Sequence, residues 1–209
     1  MKNPMPLAFV VKELGKRHGK TWVLRKLNFE VAPGSMVALL GANGSGKSSL
    51  LRMMCGMDGW SEGEVNWSIG QNLIERKDLA GAISYCAPDQ SLILDLTVEE
   101  HIAFHFKFRS PIQGTDLESA LLLSMLKSKR DARVRNLSSG MRQRLSLTLA
   151  FSTQSSALFL DEPTSHLDAN GRAWFAQLMA EWTAERTLVV ASNHNEEEIP
   201  QGAQRIALA

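Results

Sequence analysis

The sequence predicts an α/β protein built on a mostly parallel β-sheet that helices cover on both faces. Short apolar runs predict buried strands, and the clearest of them are residues 36–40, 157–160 and 188–191. Segments with helical periodicity separate these runs, as expected for parallel strands joined by crossover helices. A glycine-rich loop also lies between one such strand and a helix, which is typical of α/β folds that bind phosphate groups.

The glycine-rich loop matches the phosphate-binding pattern G-x-x-x-x-G-K-[ST]. Its glycines allow positive φ angles, so successive amide N–H groups can point into one concavity at the start of the next helix. Lys47 is expected to reach the β- and γ-phosphates of a nucleotide, and the Ser48 hydroxyl to ligate Mg²⁺. The predicted phosphate-binding residues are Gly41, Ala42, Asn43, Gly44, Ser45, Gly46, Lys47, Ser48 and Ser49.

Composition limits the classes of protein to consider. The 209 residues are 44% hydrophobic and carry a net charge of +1, so one globular domain is expected and no general affinity for nucleic acid is indicated. Cys55 and Cys86 lie in apolar stretches and are predicted to be core residues in a reducing compartment. No apolar run approaches the ~18–20 residues of a membrane span, and the N-terminus lacks a signal-peptide core. We therefore expect a soluble, non-exported protein whose membrane role, if any, depends on a partner.

Strands are predicted on both sides of the glycine-rich loop in the N-terminal half. Residues 27–31 alternate apolar and polar side chains as a half-buried antiparallel strand does, and residues 65–69 also alternate. The predicted strands in this half are 9–14, 27–31, 36–40, 65–69 and 83–87, and the predicted turns are 16–20 and 33–34.

Residues from Leu96 to about Asn136 predict a helical insert. Thr97 and Glu100 have the spacing of a capping box at a helix start. Asp116 begins a second predicted helix, and no strand pattern interrupts the segment. The predicted apolar face of the second helix is Leu117, Ala120, Leu121 and Met125.

The C-terminal part alternates helices with strands. A helix is predicted over 139–151, a buried strand over 157–160 and a short last strand over 206–208. After Gly171, apolar residues with helical spacing predict a wide core-facing stripe rather than a cofactor site. That stripe is Trp174, Phe175, Leu178, Met179 and Trp182.

Asp161 and Glu162 follow the strand 157–160 and form a Walker-B-type strand end. Asp161 is expected to hold Mg²⁺ together with Ser48, and Glu162 to polarise a water for attack on the γ-phosphate. An acidic turn without function is the alternative, which the nearby phosphate loop disfavours. His194 follows the strand 188–191 and can reach the same phosphate if the two strands are neighbours, although a lone histidine is more often structural.

Ser138, Ser139 and Gly140 open the helix predicted from residue 139. One of the serines is an N-cap candidate, and Gly140 allows an anion to approach the first helical amides. A simple helix cap is the alternative. The position of this segment, about 20 residues before the acidic pair, favours a nucleotide contact.

In this order, the phosphate loop, LSSGMRQRL (137–145), LFLDEPTSHLD (158–168) and SNH (192–194) resemble the ATP-binding cassette (ABC) ATPases. The resemblance covers almost the whole chain. It implies a P-loop NTPase fold with a RecA-like core and an antiparallel β-subdomain. It further implies one domain over residues 1–209, in which 1–95 and 140–209 form the core with its β-subdomain and 96–139 form a helical subdomain.

The resemblance also implies a mechanism. Two copies are expected to pair head to tail, with each ATP held between the phosphate loop of one copy and Ser138–Gly140 of the other. Residues 165–168 resemble the segment that crosses this interface. Hydrolysis, with Lys47, Glu162 and His194 as the catalytic residues, is expected to require closure of the pair.

Two positions differ from the family pattern. The residue that stacks on adenine is usually an aromatic such as tyrosine, and His18 occupies its place here. A glutamine that contacts Mg²⁺ is expected soon after strand 83–87, but Pro88 stands at that position. Gln90 or Asp89 is the candidate substitute.

The resemblance predicts the ATP-hydrolysing subunit of a transporter, with export favoured over import. The expected partners are a separate membrane permease and a second ATPase subunit, most simply an identical copy. This subunit is expected to be cytoplasmic and attached to the inner face of the cell membrane. The alternative is a soluble ABC ATPase of assembly, DNA repair or translation, although its usual second cassette or basic tail is missing. A basic cluster at 127–135 is expected to be a solvated surface, since no aromatic residues interleave it.

Overall fold

The computed structural model describes residues 4–88, 92–183, 185–193 and 195–208. Within them, one sheet is entirely parallel. Its strands are β3 (Met36–Leu40), β6 (Ile83–Cys86), β7 (Ala157–Asp161), β8 (Thr187–Ser192) and β9 (Gln204–Ala207). Their spatial order is β6-β7-β8-β3-β9, which confirms the parallel sheet expected from the apolar runs.

A second sheet is antiparallel and is formed by the N-terminal half. Its strands are β1 (Leu7–His18), β2 (Thr21–Val31), β4 (Glu62–Ile69) and β5 (Asn72–Ile74), in the order β2-β1-β4-β5. The turn expected over 16–20 was too wide, because β1 continues to His18. Arg17 pairs with Trp22 across the two strands and its guanidinium lies 5.6 Å from the indole centroid, so the hairpin extends almost to its tip.

In the part of the chain that the structure describes, six helices connect and cover the strands. They are α1 (Lys47–Met54), α2 (Leu79–Ala82), α3 (Val98–Phe108), α4 (Leu117–Leu123), α5 (Ser139–Ser152) and α6 (Ala169–Trp182). Short 3₁₀ turns lie at Arg76–Asp78, Lys127–Lys129, Val134–Asn136 and Glu196–Glu198. Among the described residues, no helix combines the length and the apolar character that a membrane span requires.

Helix α1 lies between the two sheets and joins their cores. Its residues Leu50, Leu51, Met53 and Met54 are fully buried in one cluster that includes residues of β1, β3, β4 and β7. Helices α5 and α6 cover the opposite face of the parallel sheet, as Phe151 of α5 shows by packing on that face. The expectation that both faces of the sheet are covered is therefore confirmed.

The two cysteines belong to these cores. Burial raises the pKa of Cys55 and of Cys86 to about 12, so both are neutral thiols at physiological pH. This confirms that they are core residues.

Helices α3 and α4 share a third cluster with part of α5. Thr97 caps α3 in the predicted capping box with Glu100. Ala120 and Leu121 of α4 are buried, but Met125 was wrongly placed on the apolar face. Helix α4 ends at Leu123, and Met125 adopts φ = 57° and is 58% exposed.

The basic cluster after α4 lies in ion pairs on the surface. Arg130 forms a bidentate pair with Glu99 (2.8 and 3.0 Å) and also contacts Glu118 at 3.0 Å. Arg135 pairs with Asp95. Arg133 lies 4.0 Å from the same Asp95 carboxylate. Neighbouring carboxylates thus pair with three of these cations, which agrees with the expected solvated surface.

Candidate nucleotide-binding site

The predicted site residues meet at one edge of the parallel sheet. Gly41 follows β3, Asp161 ends β7 and Ser192 ends β8, and parallel strands place these carboxyl ends side by side. Strands β7 and β8 are direct neighbours, with Asp161 opposite Ala191. The two strands are therefore neighbours, as the proposed role of His194 required.

The glycine-rich loop needs its glycines for two separate reasons. Gly46, the residue before α1, adopts φ = 93°, a conformation that side-chain-bearing residues rarely adopt. At Gly41, an added Cβ would lie 2.4 Å from Ser45 Oγ and 2.8 Å from the Leu208 carbonyl oxygen. The Oγ of Ser45 is buried and has no hydrogen-bond partner among the described residues. The loop therefore fits a bound phosphate group that accepts hydrogen bonds.

Lys47 is held within this loop. It is only 4% exposed, and its ammonium group donates to the carbonyl oxygens of Gly41 (2.8 Å) and Ala42 (3.1 Å). The same group lies 3.9 Å from Glu162 Oε1. The cation of the loop and the predicted general base thus face each other.

A cavity of about 370 Å³ opens above the loop. It brings together residues that are far apart in the sequence, since His18 of β1 and Glu162 both line it. Val23 of β2, which the sequence analysis missed, lines the same cavity. Its lining residues are His18, Val23, Asn43, Gly44, Gly46, Lys47, Ser48, Ser49 and Glu162.

A smaller cavity of about 220 Å³ adjoins the start of α1. It is lined by Ser48, Arg52, Pro88, Asp161 and Glu162, so the hydroxyl and carboxylate groups predicted to hold a metal are together. Arg52 was missed, although it lies four residues after Ser48 and hence on the same helix face. The other predicted contributors, Asp89, Gln90 and His194, lie outside the described residues.

Glu162 has a strained backbone. Its φ of 41° lies in the left-handed region, which glutamate rarely adopts. Its amide donates to the Ala191 carbonyl oxygen at 2.9 Å, directly after β7 ends. Strain of this kind is concentrated at functional sites, where the surrounding structure maintains it.

The segment Ser138–Gly140 lies elsewhere on the molecule. Ser138 caps α5 by accepting a hydrogen bond from the Met141 amide (3.2 Å), and none of the three residues lines the cavity above the phosphate loop. A Cβ on Gly140 would lie 2.9 Å from the His166 carbonyl oxygen. Gly140 therefore packs closely on His166 of its own chain, but the segment does not contribute to the cavity above the phosphate loop of its own chain.

Comparison with known proteins decides the family. The family model described as ABC transporter matches residues 24–165, which is more than half of the chain. The chain belongs to this family. It is therefore an ATP-binding cassette ATPase, as the motif order predicted.

Curated relatives of this ABC ATPase include import and export proteins. A probable sulfate/thiosulfate import ATP-binding protein, CysA, of Chlorella vulgaris is 32% identical over 209 residues, which cover 97% of this chain and 87% of that protein. The Nod factor export ATP-binding protein I of Rhizobium johnstonii is 30% identical over 206 residues, covering 97% and 66%. The chain spans 59% of another matching protein, the CysA of Mesostigma viride.

Solved structures share the fold of this ABC ATPase. A bacterial Atm1-family ABC exporter with ATP bound has a TM-score of 0.80 at 21% identity, covering 100% of this chain and 37% of the exporter chain. The ATP-binding cassette MJ0796, in a dimeric post-hydrolysis state with ADP and phosphate, has a TM-score of 0.78 at 23% identity and covers 96% and 94%. These matches confirm the predicted fold class.

The ABC ATPase has a third and larger cavity, which we call the α3 groove. It has a volume of about 740 Å³ and is lined by α3, by the segment 55–57 after α1 and by residues 92–93. Its rim exposes Phe108 (73%) and Phe104 (43%). The lining includes Arg76 and Arg109 but no carboxylate among the described residues. The groove is therefore apolar with a positive rim.

His105 faces this groove, is half-buried and carries a neutral ring. Its Nε2 lies 2.7 Å from the Thr153 hydroxyl, which itself donates to the Leu149 carbonyl oxygen, so Nε2 is the donor. Burial, followed by the charges of Arg109 and His101, lowers the pKa of His105 to about 4. The imidazole ring of His105 is thus neutral in the folded protein at physiological pH.

The ABC ATPase is consequently expected to lose stability in acid. Since the pKa of His105 is about 4 when folded and 6.5 when unfolded, the unfolded chain binds the proton first as pH falls below 6.5. Allowing for partial exposure, the loss attributable to His105 is about 1 kcal/mol at pH 5. Urea denaturation at pH 7 and pH 5 measures it, and His105→Gln, which can still donate to Thr153, should show a smaller loss. An equal loss in both proteins would contradict this assignment.

Proposed function

We propose that this ABC ATPase powers transport through a separate membrane-spanning partner by hydrolysing ATP. The observation that carries the proposal is the convergence of Lys47, Ser48, Asp161 and Glu162 at the carboxyl ends of β3 and β7. The names of the relatives, which are ATP-binding proteins of import and export, support the transport role. Export stays the direction that the sequence predicts.

We assign separate roles to the site residues. The amides of residues 41–49 and the Lys47 ammonium bind the phosphates of ATP, and the imidazole of His18 stacks on the base. Glu162 accepts a proton from the attacking water, and the nearby Lys47 stabilises charge that develops on the γ-phosphate. His194 is proposed to contact the γ-phosphate on the basis of its place in the sequence.

The residues of the smaller cavity fit Mg²⁺. A hydroxyl from Ser48 and a carboxylate from Asp161 are hard oxygen ligands of the kind Mg²⁺ prefers, and few protein ligands suffice because the ion keeps several waters. Bound Mg²⁺ neutralises charge on the β- and γ-phosphates. Pro88 lacks a ligating side chain, so Gln90 is the proposed third contributor.

The working form is proposed to be a head-to-tail pair of identical chains. Ser138, Ser139 and Gly140 do not line the cavity of their own chain, which leaves them available to the nucleotide of a second copy. The helix N-terminus that they form supplies amide donors for the γ-phosphate. Closure of the pair would complete each site and couple hydrolysis to movement of the partner.

The α3 groove is the proposed docking site of the membrane partner. The position of the groove supports docking there, because Leu92 and Ile93 line it. These residues closely follow, in the sequence, the residue proposed to contact the metal. Its apolar floor and two rim arginines suit an amphipathic cytoplasmic helix that carries a carboxylate. Docking there would hold the ATPase on the inner face of the membrane.

We also propose that the chain is divided as its sequence suggests. Residues 1–95 and 140–209 form the core with the antiparallel β-subdomain, and 96–139 form the helical subdomain. A separate cluster around Val98, Ile102 and Leu121 supports this division, although Leu145 and Leu149 of α5 join that cluster from the core side.

The experiment combines hydrolysis with recovery of the partner. The purified chain should release phosphate from ATP with Mg²⁺ and stop when EDTA is added. A tagged chain expressed in its native cells and purified from membranes in detergent should retain a membrane-spanning protein. Phe108→Asp should lower that recovery by at least ~10-fold without changing hydrolysis, because it places a charge on the groove.

Leu73→Asp is the matched control, since Leu73 is 81% exposed on β5 and lies outside the groove lining. It should recover as much membrane protein as the unmodified chain. A chain that is always soluble and alone would contradict the transport role, and equal losses in both variants would contradict docking in the groove.

A further inference from the structure

One buried carboxylate lies beside the site but outside the roles assigned above. Glu198 ends the 3₁₀ turn after β8 and is only 3% exposed. Its Oε1 accepts hydrogen bonds from the amide (2.9 Å) and the hydroxyl (2.6 Å) of Thr164, and its Oε2 accepts one from the Ser192 hydroxyl. No cation among the described residues pairs with it. A buried charge without a counter-ion needs this full set of donors.

The partners of Glu198 belong to the ends of two neighbouring strands. Thr164 lies three residues after the end of β7, and Ser192 is the last residue of β8. Asn195 extends the network, because its Nδ2 donates to the Thr164 hydroxyl at 3.1 Å and its amide donates to the Ser192 hydroxyl at 3.2 Å. The Glu198 side chain thus connects the segment after β8 with the segment after β7.

This tie lies next to the strained residue Glu162. The Glu162 amide is fixed to Ala191 before the turn, and Thr164 is fixed to Glu198 two residues later. Glu162 and Glu198 also line the same polar cleft of about 460 Å³. A left-handed glutamate persists only where its surroundings hold it on both sides, and these two anchors provide that restraint.

We propose that Glu198 is a positioning residue for ATP hydrolysis. Its carboxylate holds Thr164 and thereby keeps the backbone of Glu162 in the conformation that directs its side chain toward Lys47. This inference rests on the proposed function, in which Glu162 is the general base. Glu198 lines neither the cavity above the phosphate loop nor the cavity at the start of α1, so its loss should slow the chemical step and leave nucleotide binding unchanged.

The hydrogen bonds predict which substitution is tolerated. Glutamine keeps an oxygen in the place of Oε1, so both donors of Thr164 retain their acceptor. Its amide nitrogen can donate to the Ser192 hydroxyl, whose proton then turns to the Asn195 carbonyl oxygen, already 3.3 Å away. Alanine removes both acceptors and leaves the amide and hydroxyl donors of Thr164 buried without an acceptor, while the Ser192 hydroxyl can turn to the Asn195 carbonyl oxygen.

The test measures kcat, KM and ATP affinity for Glu198→Ala and Glu198→Gln. We expect Glu198→Ala to lower kcat by roughly 10- to 100-fold, as displacement of a catalytic group does, while the ATP Kd changes by less than about threefold. Glu198→Gln should stay within about threefold of the unmodified kcat. Glu197→Gln is the matched control, because the Glu197 side chain is exposed and pairs with Arg172 at 3.0 Å. Only the Glu197 amide contacts the network, through the Asn195 side chain, and the substitution leaves that amide in place.

Thr164→Val provides a second route if Glu198→Ala does not fold. It keeps the side-chain shape and the amide donor but removes the hydroxyl, and a kcat loss of about 3- to 10-fold without a change in ATP Kd is expected. A folded Glu198→Ala or Thr164→Val protein with unmodified kcat would overturn the inference, as would a failure of glutamine to rescue. An unmodified chain that does not hydrolyse ATP would overturn the proposed function as well, so the two failures are distinguishable.

Discussion

Replacing Glu162 with glutamine is expected to lower ATP turnover by roughly 10²- to 10⁴-fold, the usual contribution of a positioned general base. Glutamine has the same size and can adopt the same backbone conformation, but its amide cannot accept the proton of the attacking water. The substitution also removes the negative charge that lies 3.9 Å from the Lys47 ammonium group. Binding of ATP should therefore be kept or become tighter. Phosphate release gives kcat, and titration with a fluorescent ATP analogue gives Kd.

Glu75→Gln is a suitable control for this variant. Glu75 is also a glutamate, its side chain is 72% exposed, and its ion partner is the equally exposed Lys77 on the antiparallel sheet side of the molecule. Its turnover should equal that of the unmodified chain. Unchanged turnover in Glu162→Gln would remove Glu162 as the base, and His194 or a phosphate oxygen of the substrate would then have to accept the proton.

The inner strands β3, β7 and β8 of the parallel sheet could be predicted from local sequence because burial on both faces leaves a continuous apolar run. The edge strand β9 is largely exposed, and it was predicted over 206–208 instead of Gln204–Ala207. Met36–Leu40 was predicted without error, and Ala157–Leu160 lacked only the final aspartate. The phosphate loop was equally predictable, since its glycines are required by φ angles and by close packing against Ser45 and Leu208. For the strands, and for the positive φ angles at Gly44 and Gly46, the physical requirement lies within a few consecutive residues.

Other features depend on contacts between distant residues and were missed for that reason. Strand β5 has three residues and is defined by its pairing with β4, while α2 is a single turn. The network of Glu198 joins residues 34 positions apart, and nothing in the local sequence of three consecutive glutamates distinguishes the buried one. Only the 3₁₀ turn, which directs Glu198 inward and leaves Glu196 and Glu197 exposed, makes the difference.

The segment that follows Glu162 connects the nucleotide site with the surface proposed to face a second copy. Residues 163–166 contact α5 on one side, since Gln143 donates to the Pro163 carbonyl oxygen at 2.8 Å and Gly140 lies against His166. On the other side they are tied to β8 through Glu198. A shift of the segment that follows Glu162 would therefore reach Ser138–Gly140, the surface proposed to face a second copy.

Replacing Lys47 with alanine should have the other large effect, on binding as well as on turnover. The ammonium group is buried and donates to two loop carbonyl oxygens, so it is already oriented before ATP arrives. Its removal takes a charge-assisted contact from the β- and γ-phosphates and leaves developing negative charge uncompensated. We expect the ATP Kd to rise by at least ~10-fold and kcat/KM to fall by at least ~100-fold.

The comparison of this variant with Glu162→Gln separates binding from chemistry, because only Lys47→Ala should weaken ATP binding. Lys20→Ala controls for the lost positive charge, because it also replaces a lysine with alanine. Lys20 is exposed in the turn between β1 and β2 and does not line the cavity. Thermal unfolding should show that Lys47→Ala is folded, because its helix position tolerates alanine well. A folded Lys47→Ala protein with unmodified ATP affinity would mean that the loop amides alone bind the triphosphate, and the role assigned to the lysine would be wrong.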